Sequence, residues 1–487
     1  MPSDDVAHAA GAAGAAGQAG PVGGCSRSRG GDRRMNGRTG GEPVAYGIDF
    51  GTTNSSIAVA YRDRIEVVPV EATGARDILP SLIYLHRDRN RAAGQDAIEQ
   101  FLINGSAKTP CSRCELVHMI GGKRDSDCRQ FQPGGRCNDM RLISGIKSDL
   151  SDTDFVSTHS WATDFTLPDL VAVVIRRLKR AADQATGANV RRVVLGHPVA
   201  FVGAEGPHYH ERQELAETRL RKAAERAGFE EIVLLDEPEA AVTAESLPEG
   251  IAIAADFGGG TFDVAVIRFD PDGGEVIGLA GAEVGGEMFD RLLFQHKVAS
   301  VLHLGDTFRT SGGYRDLPNL FRKRMSTLNG LKDLLSDKYT ASTLSNLMAA
   351  DPGKRLATVQ EIIYGGHAYG FYQAIEQAKI DLSEAASTTI EFHRPGIDIS
   401  VPVRREEFER LIADHLQTVE DAILRALDEA AVSPEAVSLV LRTGGSSSIP
   451  AFVRILEKTF DPSVIQERPV YTTVVQGLAM HALEQWR

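Results

Sequence analysis

Apolar positions fall into short runs of strand length separated by stretches of helical period, the pattern of a mixed α/β chain. Ile251 to Ala255 and Val264 to Ile267 flank a glycine-rich turn and predict a hairpin. Tyr46 to Ile48 and Ile57 to Val59 predict a second one. Further strands are expected at Ile65 to Val70 and Ser81 to Leu85, joined by turn formers around Thr73 to Asp77, and at Val190 to Leu195, Ile232 to Asp236 and Val437 to Leu441. Leu167 to Ala185 is an amphipathic helix with apolar residues at 170, 171, 174, 175 and 178; Thr166 and Pro168 mark its start and Gly187 its end. Helices are also expected over Phe289 to Leu302, around Tyr372 to Ser383, over Phe408 to Leu427, from Pro450, and at the C-terminal end.

The turns between the hairpin strands carry the chemistry. In Asp256-Phe257-Gly258-Gly259-Gly260-Thr261-Phe262-Asp263, three glycines let consecutive backbone N–H groups approach an anion, and Thr261 adds a hydroxyl. Asp256 and Asp263 bracket the turn, where carboxylates suit a water-shelled magnesium ion. An ordinary glycine-rich hairpin is the plainer reading of this stretch alone. A second copy strengthens the phosphate reading: Asp49-Phe50-Gly51-Thr52-Thr53-Asn54 superposes without a gap at an offset of 207 residues, and Ala58-Val59 match Ala265-Val266. Such a duplication predicts two related lobes holding phosphate from both sides.

Length and charge narrow the class. With 487 residues the chain exceeds the size at which one hydrophobic core keeps growing. A net charge of −13 argues against a nucleic-acid partner, and no apolar run approaches membrane-spanning length. Residues 1–43 form a tail of Gly, Ala, Ser and Arg that cannot bury enough surface to order, with Met1 and Met35 as candidate starts. The tail lacks the basic and apolar regions of a secretory signal, so a soluble cytoplasmic protein is expected. Lobe I is expected over 44–248 with a cysteine-containing insertion near 108–140. Lobe II is expected over 249–469 with a helical insertion near 303–370, and residues 470–487 as a helix returning to lobe I.

Other residues leave alternatives open. Cys111 and Cys114 have the spacing of half a zinc knuckle, whereas Cys128 and Cys137 are loosely placed. A structural zinc, with His118 as a substitute ligand, competes with free cysteines. His208 and His210 read as solvated. Glu237 ends a strand and opens a helix at Pro238, where a carboxylate can face a ligand or merely complement the helix dipole. Gly444-Gly445-Ser446 joins a strand to a helix with Pro450 in its first turn, a place where a nucleoside can approach backbone.

Taken together, the two hairpins, Glu237-Pro238, Gly285-Gly286-Glu287 and Gly444-Gly445-Ser446 with Ile449-Pro450 resemble the heat shock protein 70 ATPase superfamily over residues 44 to 487. By length the chain is most similar to the short YegD-like members. The resemblance implies the actin-like α/β fold, with two lobes around an ATP cleft. It implies that Thr52, Thr53 and Asn54 hold phosphates beside Gly51, Gly258, Gly259 and Gly260. Asp49 and Asp256, with Asp263, would engage magnesium mostly through water. Lys147 matches the lysine that positions the γ-phosphate and attacking water, and Glu237 a carboxylate of the same water and metal network. Asp256 and Thr261 complete the catalytic set, and Pro198 matches a proline that relays nucleotide state. Gly285, Gly286, Glu287, Glu376 and Lys379 would also bind the nucleotide, and Gly444, Gly445 and Ser446 its adenosine.

The departures are also specific. Ile380 and Ser448 stand where the family places basic side chains against adenine, and Tyr471 replaces an acidic residue. Ten residues follow Gly477, so the peptide-binding half of those chaperones is expected to be absent. The resulting expectation is a slow, magnesium-dependent ATP hydrolase of chaperone type that binds ATP and ADP, with protein partners not identified. A filament or scaffold protein, or a small-molecule kinase, is the alternative on the same fold.

Overall fold

The computed structural model describes residues 41–486, except 73–75, 105–107, 111–130, 133–135, 139, 161–162, 205–207, 245–248, 271–272, 311–312, 329, 332–333, 335–337, 352 and 468–471. Two mixed sheets share one connectivity. In the first, the order is Ile65–Val67, Asn54–Tyr61, Pro43–Phe50, Arg192–His197, Glu231–Asp236, with the short Leu79–Pro80 pairing off Asn54–Tyr61. In the second it is Gly273–Ala282, Phe262–Asp270, Gly250–Phe257, Val437–Thr443, Ile465–Glu467. Each begins as an antiparallel hairpin and grows parallel strands on the hairpin's first member. Even the register is repeated, since Asp49 faces Ser56 and Asp256 faces Asp263 at the same offset. The strand Gly273–Ala282, absent from the sequence reading, supplies the edge equivalent to Ile65–Val67.

Helices cover the sheets because their apolar stripes match the strand faces. Leu167–Thr186 buries Leu170, Val171, Val174, Ile175 and Leu178 against the first sheet. Its first turn is held by Asp169, which accepts from the Thr166 N–H at 2.9 Å, and it stops at Gly187, whose φ of 72° favours glycine. Arg405–Ala430 does the same for the second sheet through Phe408, Ile412, Leu416, Val419 and Ile423. Beneath the second turn, Phe257 packs edge-to-face on Phe262, Phe289 and Phe452 with ring centroids 5.4, 5.8 and 5.0 Å away.

Between the sheets runs a seam of small residues. Ala45, Ala58, Ala60, Ala252, Ala254 and Ala265 pack with Val474, Val475, Leu478, Ala479 and Ala482 of the final helix, Thr473–Trp486. Small side chains allow backbones to meet. A Cβ on Gly47 would lie 2.4 Å from Ala479 N, and one on Gly477 only 1.6 Å from the Ala240 carbonyl oxygen of Glu237–Thr243.

Several expectations change. The strand expected to reach Val70 ends at Val67, because Pro69 has no N–H to donate. The one expected at Ser81 starts at Ile83. The helix expected over Phe289 to Leu302 begins at Gly286, passes through a π turn at Phe294–Val298 and ends at Val301. The insertion expected to be mostly helical contains the hairpin Thr307–Thr310/Gly313–Asp316 as well as helices Asn319–Met325, Lys338–Ala350 and Ala357–Tyr364. Four-residue strands are too short to show a period. Finally, Ser387–Arg394 and Ile397–Arg404 form a hairpin that the sequence reading left unassigned.

Because Gly477 meets backbone, Gly477→Ala should cost about 3 kcal/mol through overpacking. Gly305→Ala, with nothing within 4 Å of its Cβ position, should be close to neutral; denaturant midpoints of the two variants compare them directly.

Candidate nucleotide site

The carboxyl ends of the parallel strands of both sheets converge on one cleft, the usual ligand position in open α/β sheets. Asp49 and Asp256 stand at the ends of the two central strands, Glu237 follows Glu231–Asp236, and Gly444 follows Val437–Thr443. The two hairpin tips face one another across this cleft. A Cβ on Gly259 would lie 2.6 Å from Thr53 Oγ1, and one on Gly260 would lie 3.0 Å from Thr52 Oγ1. Including its open mouth the cleft has an empty volume of about 1250 Å³, ample for a nucleotide.

Lys147 sits on a single 3₁₀ turn, Ile146–Asp149, entered through Gly145 at φ 63°. Its Nζ lies 2.5 Å from Glu237 Oε1, and both residues are buried, at 7% and 6% exposure. Burial pulls the Lys147 ammonium down, yet Glu237 and Asp49 outweigh it and the group ends above the ordinary lysine range. The surrounding carboxyls move the opposite way. Burial, then the charge of Glu237, pushes Asp49 up to about 8 and Asp256 to about 6. Asp263 is raised well above its ordinary value by the same two causes. Four carboxyls around one ammonium are an excess of negative charge that a divalent cation would relieve, so the donor set fits magnesium. Among the described residues no three His, Cys, Asp or Glu side chains are gathered tightly enough to hold a bare metal ion.

Most of the expected site residues line this cleft: Asp49 with Gly51, Thr52, Thr53 and Asn54; Lys147 and Glu237; Asp256 with Gly258, Gly259, Gly260 and Thr261. Gly286, Glu287, Glu376 and Lys379 line its other part with Gly444, Gly445 and Ser446. Gly285 does not line it but forms its backing, since a Cβ there would lie 2.4 Å from the Gly259 carbonyl oxygen. Gly444 has φ 84° and would place a Cβ 2.2 Å from the Phe257 oxygen. Thr443 Oγ1 donates to Asp256 Oδ1 at 3.0 Å, and Ser446 Oγ to the Gly258 carbonyl at 2.9 Å, which ties the Gly444 turn to the second hairpin.

Asp263, expected to engage magnesium, is not among the residues that line the cleft. It is buried below the cleft, accepting from Val199 N at 2.9 Å and from Thr261 Oγ1 at 2.8 Å. The Val199 bond links the loop after Pro198 in the first sheet to the second hairpin, a connection that sequence spacing could not reveal. The Thr261 hydroxyl is likewise occupied by Asp263. Two further lining residues escaped the sequence reading, Asp290 and Val474. Asp290 Oδ2 accepts from Lys379 Nζ at 2.9 Å, and Lys379 also reaches the Gly286 carbonyl at 3.1 Å. Burial raises Asp290 to about 6, and burial with the Asp290 charge raises Glu287 to about 7. Asp290 follows Glu287 by three positions, so helical spacing alone puts it on the same face.

Ile380 and Ser448 both line the cleft, Ile380 with 49% of its surface exposed, while Tyr471 lies outside the described residues. So do Cys111, Cys114, Cys128 and His118, together with the side chain of Cys137, and the zinc expectation falls there with them. Among the described residues no helix is long and apolar enough to cross a membrane.

Two sheets of one connectivity, each offering a glycine hairpin to a shared acidic cleft, define a two-lobed nucleotide-binding class. The chain belongs to the Hsp70 family, whose members are chaperone-like nucleotide-binding proteins with the actin-like ATPase fold: the family model "Hsp70 protein" matches residues 45–311 and 370–482. Chaperone protein HscA of Serratia proteamaculans (strain 568) is 28% identical over 411 residues, covering 84% of this chain and 52% of that protein. Heat shock 70 kDa protein 2 of Paracoccidioides lutzii is 26% identical, covering 86% and 54%. Chaperone protein dnaK1 of Synechocystis sp. is 25% identical, covering 86% and 51%. The chain thus spans about half the length of these curated relatives.

The raised carboxyls set a direction with pH. A group whose folded pKa is raised stabilises the fold below its unfolded pKa and loses that contribution as pH rises through the folded value. For Asp49 the window runs from an ordinary 3.8 to about 8. In metal-free buffer Asp49→Asn should therefore melt above the parent at pH 8, with the difference closing toward pH 4. Equal melting temperatures at both pH values would remove the excess-charge account.

Proposed function

We propose that this chain binds ATP with magnesium in the cleft and hydrolyses it slowly, as a chaperone-like protein in the cytoplasm. The observation that carries the reading is the pair of hairpin tips facing each other beside the buried Lys147–Glu237 pair. Backbone N–H groups of the two glycine turns, with the Thr52 and Thr53 hydroxyls, suit the oxygens of a phosphate chain. Lys147 is held charged by Glu237 and Asp49, so it can stabilise charge developing on a transferred phosphoryl group and orient the attacking water. Bound magnesium supplies charge neutralisation for the phosphate oxygens, with Asp49 and Asp256 as the residues holding its water shell. Glu287, Glu376, Lys379 and the Gly444–Ser446 turn would receive the nucleoside, with Ile380 and Ser448 in place of a basic clamp.

A second reading has one specific observation in its favour. Next to the first hairpin, Thr52 to Asn54 also border a hollow with Ser144, Tyr369, Gln373 and Glu287, where a small hydroxylated acceptor would meet a carboxyl raised to about 7. That arrangement suits a small-molecule kinase, and phosphate transfer to a polyol from labelled ATP, in place of release to water, would favour it.

Phosphate release and ATP binding by the natural chain test the main reading. Lys147→Ala should lower phosphate release by about 10²-fold while ATP still binds. Neither binding nor release at millimolar Mg-ATP would overturn the proposal. Ile380→Arg, by restoring a cation beside the base, should tighten ATP about tenfold through a stacked cation contact; an unchanged affinity would show that adenine does not lie there.

A further inference from the structure

Away from the nucleotide cleft, a second hollow collects positive charge on a chain whose net charge is −13. Arg89, Arg91, Arg176, Arg177 and Arg180 line it, with Asp96 as its one carboxylate. Three of the arginines come from the Leu167–Thr186 helix, where the apolar face is buried in the first sheet and Arg176 and Arg180 share a face one turn apart. Arg91 opens the strand Arg91–Ala93, and Arg89 precedes it with φ 74°, a left-handed backbone that arginine rarely adopts.

Local partners account for only part of this charge. Arg177 donates to the Val70 carbonyl at 2.7 Å and lies 3.8 Å from both Glu71 and Asp96. Arg176 reaches the Arg226 carbonyl at 2.5 Å, and the Arg91 guanidinium stands 4.9 Å from the Phe165 ring centre. Among the described residues Arg89, Arg91, Arg176 and Arg180 form no ion pair with a carboxylate. Burial lowers the Arg176 guanidinium, and the charges of Arg180 and Arg91 lower it further, so these groups repel one another in place. Like charges converging on a concave surface focus a field for a counter-ion. A guanidinium fork matches phosphate oxygens two at a time.

We propose that this hollow binds a compact polyphosphate, a chain of two or three phosphoryl groups presented either as an inorganic ion or as the tail of a nucleotide. Its lining is mostly charged or polar, with apolar residues limited to Ala92, Ala93 and Val173. It therefore lacks the pockets an extended peptide would need. The hollow shares no lining residue with the nucleotide cleft, so it stands whether or not the cleft binds ATP.

Calorimetric titration of the full chain with tripolyphosphate in metal-free buffer tests the site. Saturable binding is expected at about 50 mM salt, weakening steeply as salt is raised. The double variant Arg91→Gln/Arg180→Gln should weaken it at least about tenfold, whereas Arg410→Gln, on the Arg405–Ala430 helix outside the hollow, should not. Arg89→Gly removes a charge and a strained φ together, so binding should fall while the melting temperature holds or rises. Tighter, arginine-dependent binding of ATP than of tripolyphosphate would identify the nucleotide tail as the ligand, and the reverse order the inorganic ion; either upholds the site. Absence of saturable binding at millimolar tripolyphosphate overturns it. So does binding that the double variant leaves unchanged, or equal binding of a hexaglutamate peptide.

Discussion

The buried contact between Lys147 and Glu237 is the constraint around which the cleft is arranged. Strands of both sheets end at the same place and deliver carboxylates there, and one ammonium stands among them. A buried pair of this kind is weak evidence for stability, because desolvation offsets most of the attraction. Its effect is to hold a charged lysine at a point that would otherwise be wholly acidic. The remaining negative charge then makes the cleft a natural host for a cation carrying an anion, with the glycine turns facing each other across the same space.

That arrangement requires the lobes to come close, and small side chains permit it. Alanines of both central hairpins and the final helix form a thin seam, and Gly47, Gly196 and Gly477 meet neighbouring atoms where no Cβ would fit without displacement. Gly196 matters to the chemistry as well, since its Cβ position lies 3.1 Å from Glu237 Cγ. Asp263 adds a polar tie, accepting from Val199 and from Thr261. In this position it connects the loop after Pro198 to the second hairpin.

Family membership and cleft geometry support one another at different levels. The match to the Hsp70 family accounts for the actin-like fold and the shared order of motifs. Which side chains line the cleft, Ile380 and Ser448 among them, is set by how this chain's own helices and turns pack. The arginine hollow is likewise a product of packing, assembled from a helix and a strand that meet only in the folded lobe.

The sequence by itself determined the two hairpins, their common register, the amphipathic helices and most of the cleft-lining residues. Those features rest on local periodicity, on glycine at turns, and on a repeat that the pairing Asp49 to Ser56 and Asp256 to Asp263 reproduces. Ile397 to Arg404 alternates buried and exposed residues yet goes unassigned in the sequence reading, and short strands such as Thr307–Thr310 show no period. Only the tertiary structure decided the partner of each charged group. Lys147 meets Glu237 across 90 positions and Lys379 meets Asp290 across 89, and Asp263 turns from the cleft toward Val199. Local sequence sets backbone conformation, but which charges share a low-dielectric space depends on how distant strands and helices pack, and no spacing along the chain encodes that distance.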